Sequence, residues 1–301
     1  MQIHLSDNKI SFINICLTCN NNCLFCPQDT ASLQKSDKDF RQIRNEISAE
    51  KAKGSKEIHL LGGEPTLNPK LMDIIAYSKK NGFEKIILYT NGRMLKYRDF
   101  CVDLKKNGLT DIVSSLHGSS AKIHDLLTGA TGSFKESAAG IINAKKTGIP
   151  ICVRTAITKP NSMDLPNIAE LIYMLGASGI ILYFTSIYGN AEENAKWLTA
   201  KYSVAAPFIL SAMKIAKKNH INSIVNSVPI CVLQEYTTNM CNEAITDNNL
   251  RTIQEYLILR QKPYSIKKAK CGKCKLKEMC SGIDKNYAKL FGTEEISPIM
   301  D

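Results

Sequence analysis

No stretch of this chain approaches the ~20 apolar residues that a membrane-crossing helix requires, so no membrane association is expected. The chain also lacks internal repeats and low-complexity linkers, which argues against a solenoid or a tethered array. Residues 1–9 lack a basic segment followed by a long apolar one, so no secretory signal is read there. Cysteine is sparse by the standard of secreted disulfide scaffolds, with eleven among 301 residues. Acidic residues are the minority charge, 28 against 39 basic, for a formal net charge of +11. The rest is ordinary for a soluble globular protein, 44% hydrophobic and 22% charged. A chain of this length can bury a sizeable core, and one large domain with an appendage is expected. Thiols without a secretory signal point to a reducing compartment, the cytoplasm.

Strand and helix patterns alternate. Apolar runs near 11–17, 56–61, 85–89, 111–116, 150–157 and 179–184 read as strands. Helical patterns separate them, near 37–53, 69–81, 97–106, 134–147, 165–175 and 201–219. The second helix is the clearest: Asn68 suits its N-cap, Pro69 its first position, and Gly82 its stop. Leu71, Ile74, Ile75 and Ser78 share one face of it. Strands apolar throughout, with helices between, predict an α/β fold with a parallel sheet. Six units predict a partial (β/α)6 TIM-like barrel over 1–220, followed by a small cysteine-rich domain over 221–301. Ligands of such folds sit at the C-terminal ends of the strands.

The cysteines are clustered. Cys19, Cys23 and Cys26 read C-x3-C-x2-C, and Gly62-Gly63-Glu64-Pro65 follows the apolar run 58–61. Three thiolates so close can hold three corners of a four-iron cube and leave the fourth iron open. Structural zinc prefers four closed ligands in paired knuckles, a poor match to this spacing. Together the two motifs resemble the radical S-adenosylmethionine (radical SAM) superfamily, over roughly residues 10–190. The resemblance implies a [4Fe–4S] cluster on Cys19, Cys23 and Cys26 that binds S-adenosylmethionine and cleaves it reductively to methionine and a 5′-deoxyadenosyl radical. By the same resemblance Gly62, Gly63 and Glu64 meet the cofactor's amino group, and Phe25 lies beside the adenine. Asn91 belongs to a TNG that ends the third strand, and Ser115 offers the cofactor its hydroxyl. His117 stands where the family's S-L-D-G motif has aspartate, and both structural support and proton carriage are open to it. Arg154, on an apolar strand, needs a partner: the cofactor carboxylate, or an internal ion pair.

A second set lies toward the C-terminus. Cys271, Cys274 and Cys280 read C-x2-C-x5-C, with Cys231 upstream. This resembles the auxiliary-cluster region of the twitch and SPASM branches, although Asp284 stands where SPASM sequences carry a further cysteine. The resemblance implies one auxiliary [4Fe–4S] cluster on Cys231, Cys271, Cys274 and Cys280. The alternative fourth ligand is Cys241, or no protein ligand at all, and zinc would also accept four thiolates. Cys16, Cys101 and Cys152 fall in apolar elements and are expected to be small buried residues. Seven lysines and no acid occupy 262–277, which suits a negatively charged cluster and an acidic electron donor such as flavodoxin or ferredoxin. No basic stripe interleaved with aromatics is present, so nucleic acid is not expected. Relatives of this layout often modify peptides, and a peptide maturase is the expected function. No separate leader-binding segment is read, with only about ten residues before the first strand, which counts against a peptide. The alternatives are a dehydrogenase or rearrangement enzyme acting on a small metabolite, and a non-catalytic iron–sulfur carrier.

Overall fold

A computed structural model of the chain describes residues 9–27, 38–236, 264–278 and 280–300. Cys241 and Lys262 lie outside these described residues. The centre of the fold is one sheet of seven parallel strands in chain order. The strands are β1 (Lys9–Cys16), β2 (Ser55–Gly62), β3 (Lys85–Thr90), β4 (Asp111–Ser115), β5 (Ile151–Ile157), β6 (Gly179–Phe184) and β7 (Asn222–Asn226). Among the described residues each pairs only with its sequence neighbours, so β1 and β7 are the edges of the sheet and the barrel is open.

Helices return the chain between strands. They are α1 (Phe40–Ala52), α2 (Leu71–Lys80), α3 (Arg98–Asn107), α4 (Ala121–Thr128), α5 (Ser133–Lys146) and α6 (Leu165–Leu175). Two short turns, α7 (Asn190–Glu193) and α8 (Ala195–Leu198), precede the long α9 (Tyr202–Lys218). None of the described helices is long and apolar enough to cross a membrane.

Alternation sorts each strand onto two faces. Ile58, Leu60, Ile86, Leu88, Ile112, Val153 and Leu182 join the large core beneath the helices. Ile87, Val113, Ile181 and Ile224 form a separate cluster on the concave face. Both faces are covered, which is why the strands read as apolar throughout. In α2 the buried residues are Leu71, Ile74, Ile75 and Ser78. Burying each aliphatic side chain contributes about 1.5–3 kcal/mol.

Three expectations need correction. Six strands were expected; the sheet has a seventh, β7, whose Asn-Ser-Ile-Val-Asn reads too polar to stand out and gains its status by pairing with β6. Asn68 does not cap α2; its side chain donates to the Ile15 carbonyl and accepts from the Lys70 N–H, and the α2 N-cap is Lys70. Cys16 and Cys101 are buried, but Cys152 is only half-buried, because it points to the concave face.

The C-terminal region adds a two-stranded antiparallel pair, β8 (Ser265–Ile266) with β9 (Ile283–Asp284), and α10 (Lys285–Phe291). Asp284 caps α10 by accepting from the Asn286 and Tyr287 N–H groups. Tyr287 stacks on Tyr202 at 3.9 Å between centroids and accepts the Tyr202 N–H at 2.8 Å. This stack seats the C-terminal region on the start of α9.

Candidate functional site

The cysteine loop leaves the C-terminal end of β1 and is held from three sides. On one side the Asn22 and Leu24 N–H groups donate to the Thr128 and Leu127 carbonyls at the end of α4, at 2.9 and 3.0 Å. On the second, Arg93 reaches the Asn20 carbonyl and the Asn21 side chain while its Nε donates to Glu136 at 2.5 Å. On the third, α7 contributes: Asn190 donates to the Cys23 carbonyl, and the Ala191 N–H to the Cys26 carbonyl. Within this frame the three thiols lie close enough to feel one another. Burial, then the neighbouring Cys19 and Cys26, pushes the Cys23 thiol far up from its ordinary range. Burial also raises Cys19, and the Asn21 N–H, 3.4 Å from its sulfur, pulls it back.

Gly62 and Gly63 are glycine because β1 runs directly against them. A Cβ on Gly63 would lie 2.2 Å from the Leu17 carbonyl oxygen, and one on Gly62 2.0 Å from that of Cys16. The Gly63 and Glu64 N–H groups donate to the Cys16 and Thr18 carbonyls at 2.7 Å each. Glu64 is fully buried, and its carboxylate accepts from the Thr66 N–H and hydroxyl, the Thr90 hydroxyl and the Asn91 N–H. Burial raises its pKa, and these donors act against that rise. Glu64 therefore stitches the end of β2 to the end of β3. The Asn91 side chain donates to Asn20 at 2.6 Å and accepts from the Arg93 N–H, so it steadies the cysteine loop.

Ser115 and Arg154 are register partners on β4 and β5, on the concave face with Ile181. The Arg154 guanidinium lies 3.8 Å from the Tyr183 ring centroid. It forms no ion pair with any described residue. Phe25 is 5% exposed and meets His117 edge-on at 4.6 Å. His117 Nδ1 accepts the Ala156 N–H at 3.1 Å, and the His117 backbone N–H donates to His124 Nδ1 at 3.0 Å. Burial, then His124 and Arg154, holds the His117 imidazole well below its ordinary pKa. A neutral ring bonded to the backbone joins β4, β5 and α4, which favours support over proton carriage.

The radical SAM superfamily profile matches residues 13–172 of this 301-residue chain. The chain belongs to the radical SAM superfamily. Membership implies a [4Fe–4S] cluster and S-adenosylmethionine. The chain is 32% identical over 168 residues to the Fe-coproporphyrin III synthase of Methanosarcina barkeri, covering 53% of this chain and 39% of that protein. It is 31% identical over 176 residues to a probable GTP 3′,8-cyclase of Metallosphaera sedula, covering 57% and 53% respectively. The chain thus spans about half, or less, of the curated relatives it matches. Among solved structures it resembles anSMEcpe with bound AdoMet and Kp18Cys peptide, at TM-score 0.64 and 12% identity, over 97% of this chain and 93% of that one. It also resembles Streptococcus suis SuiB bound to precursor peptide SuiA, at TM-score 0.63 and 14% identity, over 82% and 54%. At such identities these two likenesses concern the radical SAM fold alone.

The residues present suit the implied cofactor. Three thiols share one loop at the strand ends, and the iron ions of a cluster would hold as thiolates the groups whose ionisation burial, then the neighbouring thiols, now opposes at Cys23. A four-iron cube also holds its thiolates farther apart than one ion does. Among the described residues no three His, Cys, Asp or Glu side chains close on a single ion.

The C-terminal cysteines come together as well. Cys231, Cys271, Cys274 and Cys280 line one cleft, with Lys267, Lys268 and Lys277. Burial raises the Cys231 thiol, and Cys280, Cys271 and Cys274 act on it in the same direction. Cys231 arrives from the 3₁₀ segment Ile230–Tyr236, so the chain that follows the barrel's last strand carries one of the four thiols.

Two features had no distinct sequence signal. Arg93, Asn190 and the end of α4 frame the cysteine loop, and only the run Asn20-Asn21-Asn22 hinted at such contacts. The concave face also carries Glu57, His59 and Tyr89 in one chain of hydrogen bonds, 2.5 Å and 3.2 Å long. Phe12 stacks on His59 at 4.4 Å.

Proposed function

We propose that this protein is a radical SAM enzyme that modifies a peptide. Bound S-adenosylmethionine and a reduced [4Fe–4S] cluster supply a 5′-deoxyadenosyl radical that takes hydrogen from an unactivated carbon. The observation that carries the reading is the meeting of Cys19, Cys23 and Cys26 with the Gly62–Glu64 segment at the strand ends. In this reading the three thiolates hold three irons. The N–H groups of Gly63 and Glu64 are already spent on β1 and the cysteine loop, so the segment offers carbonyl oxygen, the acceptor an ammonium needs. Arg154 offers a fork to a carboxylate, Ser115 a hydroxyl, and Phe25 an apolar wall to the adenine. Asn91 holds the loop that holds the iron.

Cys231, Cys271, Cys274 and Cys280 would hold one auxiliary [4Fe–4S] cluster in a twitch-like region. The division into a barrel over 1–220 and an auxiliary region over 221–301 belongs to the same reading, with β7 shared by the barrel sheet. Peptide as substrate is supported by the likeness to SuiB and anSMEcpe, both solved with peptides. A small metabolite is the second reading, favoured by the higher identity to the GTP cyclase and the coproporphyrin synthase.

The test is anaerobic reconstitution, dithionite reduction and measurement of 5′-deoxyadenosine. The expected result is formation by the wild type and none by a Cys19→Ala/Cys23→Ala/Cys26→Ala variant. Formation by that variant would sink the proposal, and none by the wild type would favour an electron carrier. Stimulation by peptides encoded beside the gene, against GTP and porphyrins, separates the two substrate readings.

A further inference from the structure

Three polar side chains of the concave face take no part in the site described so far. Glu57 and His59 lie two apart on β2, so both point inward, and Tyr89 meets them from β3. Glu57 and His59 are buried, and a buried polar group costs free energy unless it is bonded. Well-packed apolar side chains there would often be no less stable, so the network invites a chemical reading. His59 Nε2 lies 2.5 Å from Glu57 Oε1. The carboxylate takes the Nε2 hydrogen, which fixes the tautomer and leaves Nδ1 bare. Nδ1 then accepts the Tyr89 hydroxyl at 3.2 Å. Phe12 stacks on the His59 ring at 4.4 Å, and Ile87 is its register partner on β3. Tyr89 is half-buried and packs against the cluster of Ile87, Val113, Ile181 and Ile224. Its register partner on β4 is Val113, two residues before Ser115. The phenol therefore sits one pleat, about 7 Å, beneath the row of Ser115 and Arg154.

We propose that Tyr89 gives a hydrogen atom to a carbon radical formed in the barrel, and that His59 and Glu57 restore its proton. The inference rests on the radical SAM reading of the N-terminal site and deepens it. A returned hydrogen makes the change to the substrate redox-neutral, a rearrangement or an epimerisation rather than a dehydrogenation. A phenol O–H bond is weaker than an aliphatic C–H bond, so the hydrogen passes downhill to carbon. The hydroxyl of Ser115 is held by a stronger bond and cannot do this. The step balances. The phenol O–H breaks homolytically and a C–H bond forms. One electron, from the reductant that feeds the iron–sulfur sites, converts the phenoxyl radical to phenolate. One proton, taken up at Glu57 and passed through the two nitrogens of His59, restores the phenol. Without that relay the phenol would serve once.

The test is S-adenosylmethionine cleavage by the reconstituted holoprotein in D₂O, with dithionite and no substrate. The 5′-deoxyadenosyl radical is itself a carbon radical and serves as the probe. The Tyr89 hydroxyl exchanges with solvent, so 5′-deoxyadenosine quenched by it carries solvent deuterium, read by mass spectrometry. The wild type and Tyr97→Phe, which removes an exposed phenol, are expected to label it. Tyr89→Phe is expected to lose most of the label with its iron content unchanged. Glu57→Gln keeps the phenol but not the proton uptake, so a phenoxyl radical should accumulate in its EPR spectrum. That signal decides alone if Tyr89→Phe does not fold, and its absence overturns the proposal. Equal label in Tyr89→Phe, or none in the wild type, also overturns it. Label lost in Cys152→Ala instead overturns it in favour of the thiol on the same face. No 5′-deoxyadenosine from the wild type overturns the radical SAM reading itself, and the donor falls with it.

Discussion

Arg154 shows how one side chain separates two readings. An arginine inside a sheet must answer its charge, and the described acids do not answer this one. The Tyr183 ring gives it a partial substitute worth about 0.5–2 kcal/mol. Arg154→Ala is therefore expected to weaken S-adenosylmethionine binding about ten- to a hundredfold, the size of one charge-assisted hydrogen bond of ~1.5–3 kcal/mol. Ser115→Ala should cost about 1 kcal/mol, and both variants should keep their iron. Normal affinity in Arg154→Ala, with a much lower unfolding temperature, would make the residue structural. His124 yields a pH prediction. Burial lowers its pKa to about 4, against the pull of Asp125. Its Nε2 is buried without a hydrogen-bond partner among the described residues. The unfolded chain, with a histidine pKa of about 6.5, takes the proton first as pH falls. Stability is thus full above about pH 6.5 and drains toward pH 4, with a slope of up to about 1.4 kcal/mol per pH unit. Urea unfolding of wild type and His124→Gln across that window checks it; parallel curves would clear His124 of the effect.

At the scale of elements, the cysteine loop owes its shape to its neighbours more than to itself. The end of α4, Arg93, α7 and the β2 turn each hold one stretch of it. At Gly63 an added methyl would meet two carbonyl oxygens at once, those of Leu17 and Thr18, at 2.2 and 2.5 Å. Gly63→Ala is expected to fold, because the core beneath the helices is untouched, but to lose most iron at the N-terminal site. Gly132→Ala is the control: nothing lies within 4 Å of its added methyl, although its φ of +83° costs some strain. Iron analysis beside circular dichroism tests the pair. Equal iron in both variants would mean that the loop does not depend on this contact.

The whole molecule places two cysteine sets on one framework. The barrel presents the first at its strand ends, and the C-terminal region, seated by the Tyr202–Tyr287 stack, assembles the second with Cys231 from beyond β7. If both hold four-iron cubes, the reconstituted protein should carry about eight irons per chain. The Cys19/Cys23/Cys26 triple alanine variant should keep about half. About four irons with one tightly bound zinc would instead make the C-terminal set a zinc site.

The sequence alone determined the strand and helix alternation through β6, the parallel sheet, the three-cysteine loop and its Gly-Gly-Glu companion. These are local matters of apolar runs, helical faces and short spacings, which a chain carries in its own order. Tertiary structure decided the rest. It made β7 a strand, because Asn222–Asn226 becomes one only by pairing with β6. It turned Glu64 inward onto four donors from β3 and its own turn, and Asn91 toward Asn20, 71 residues away. It buried His117 and bonded it to the Ala156 N–H and the His124 ring. It brought Cys231 to the other three C-terminal thiols. Each depends on a distant partner, and hydrogen bonds and burial act across space, where spacing along the chain carries no information.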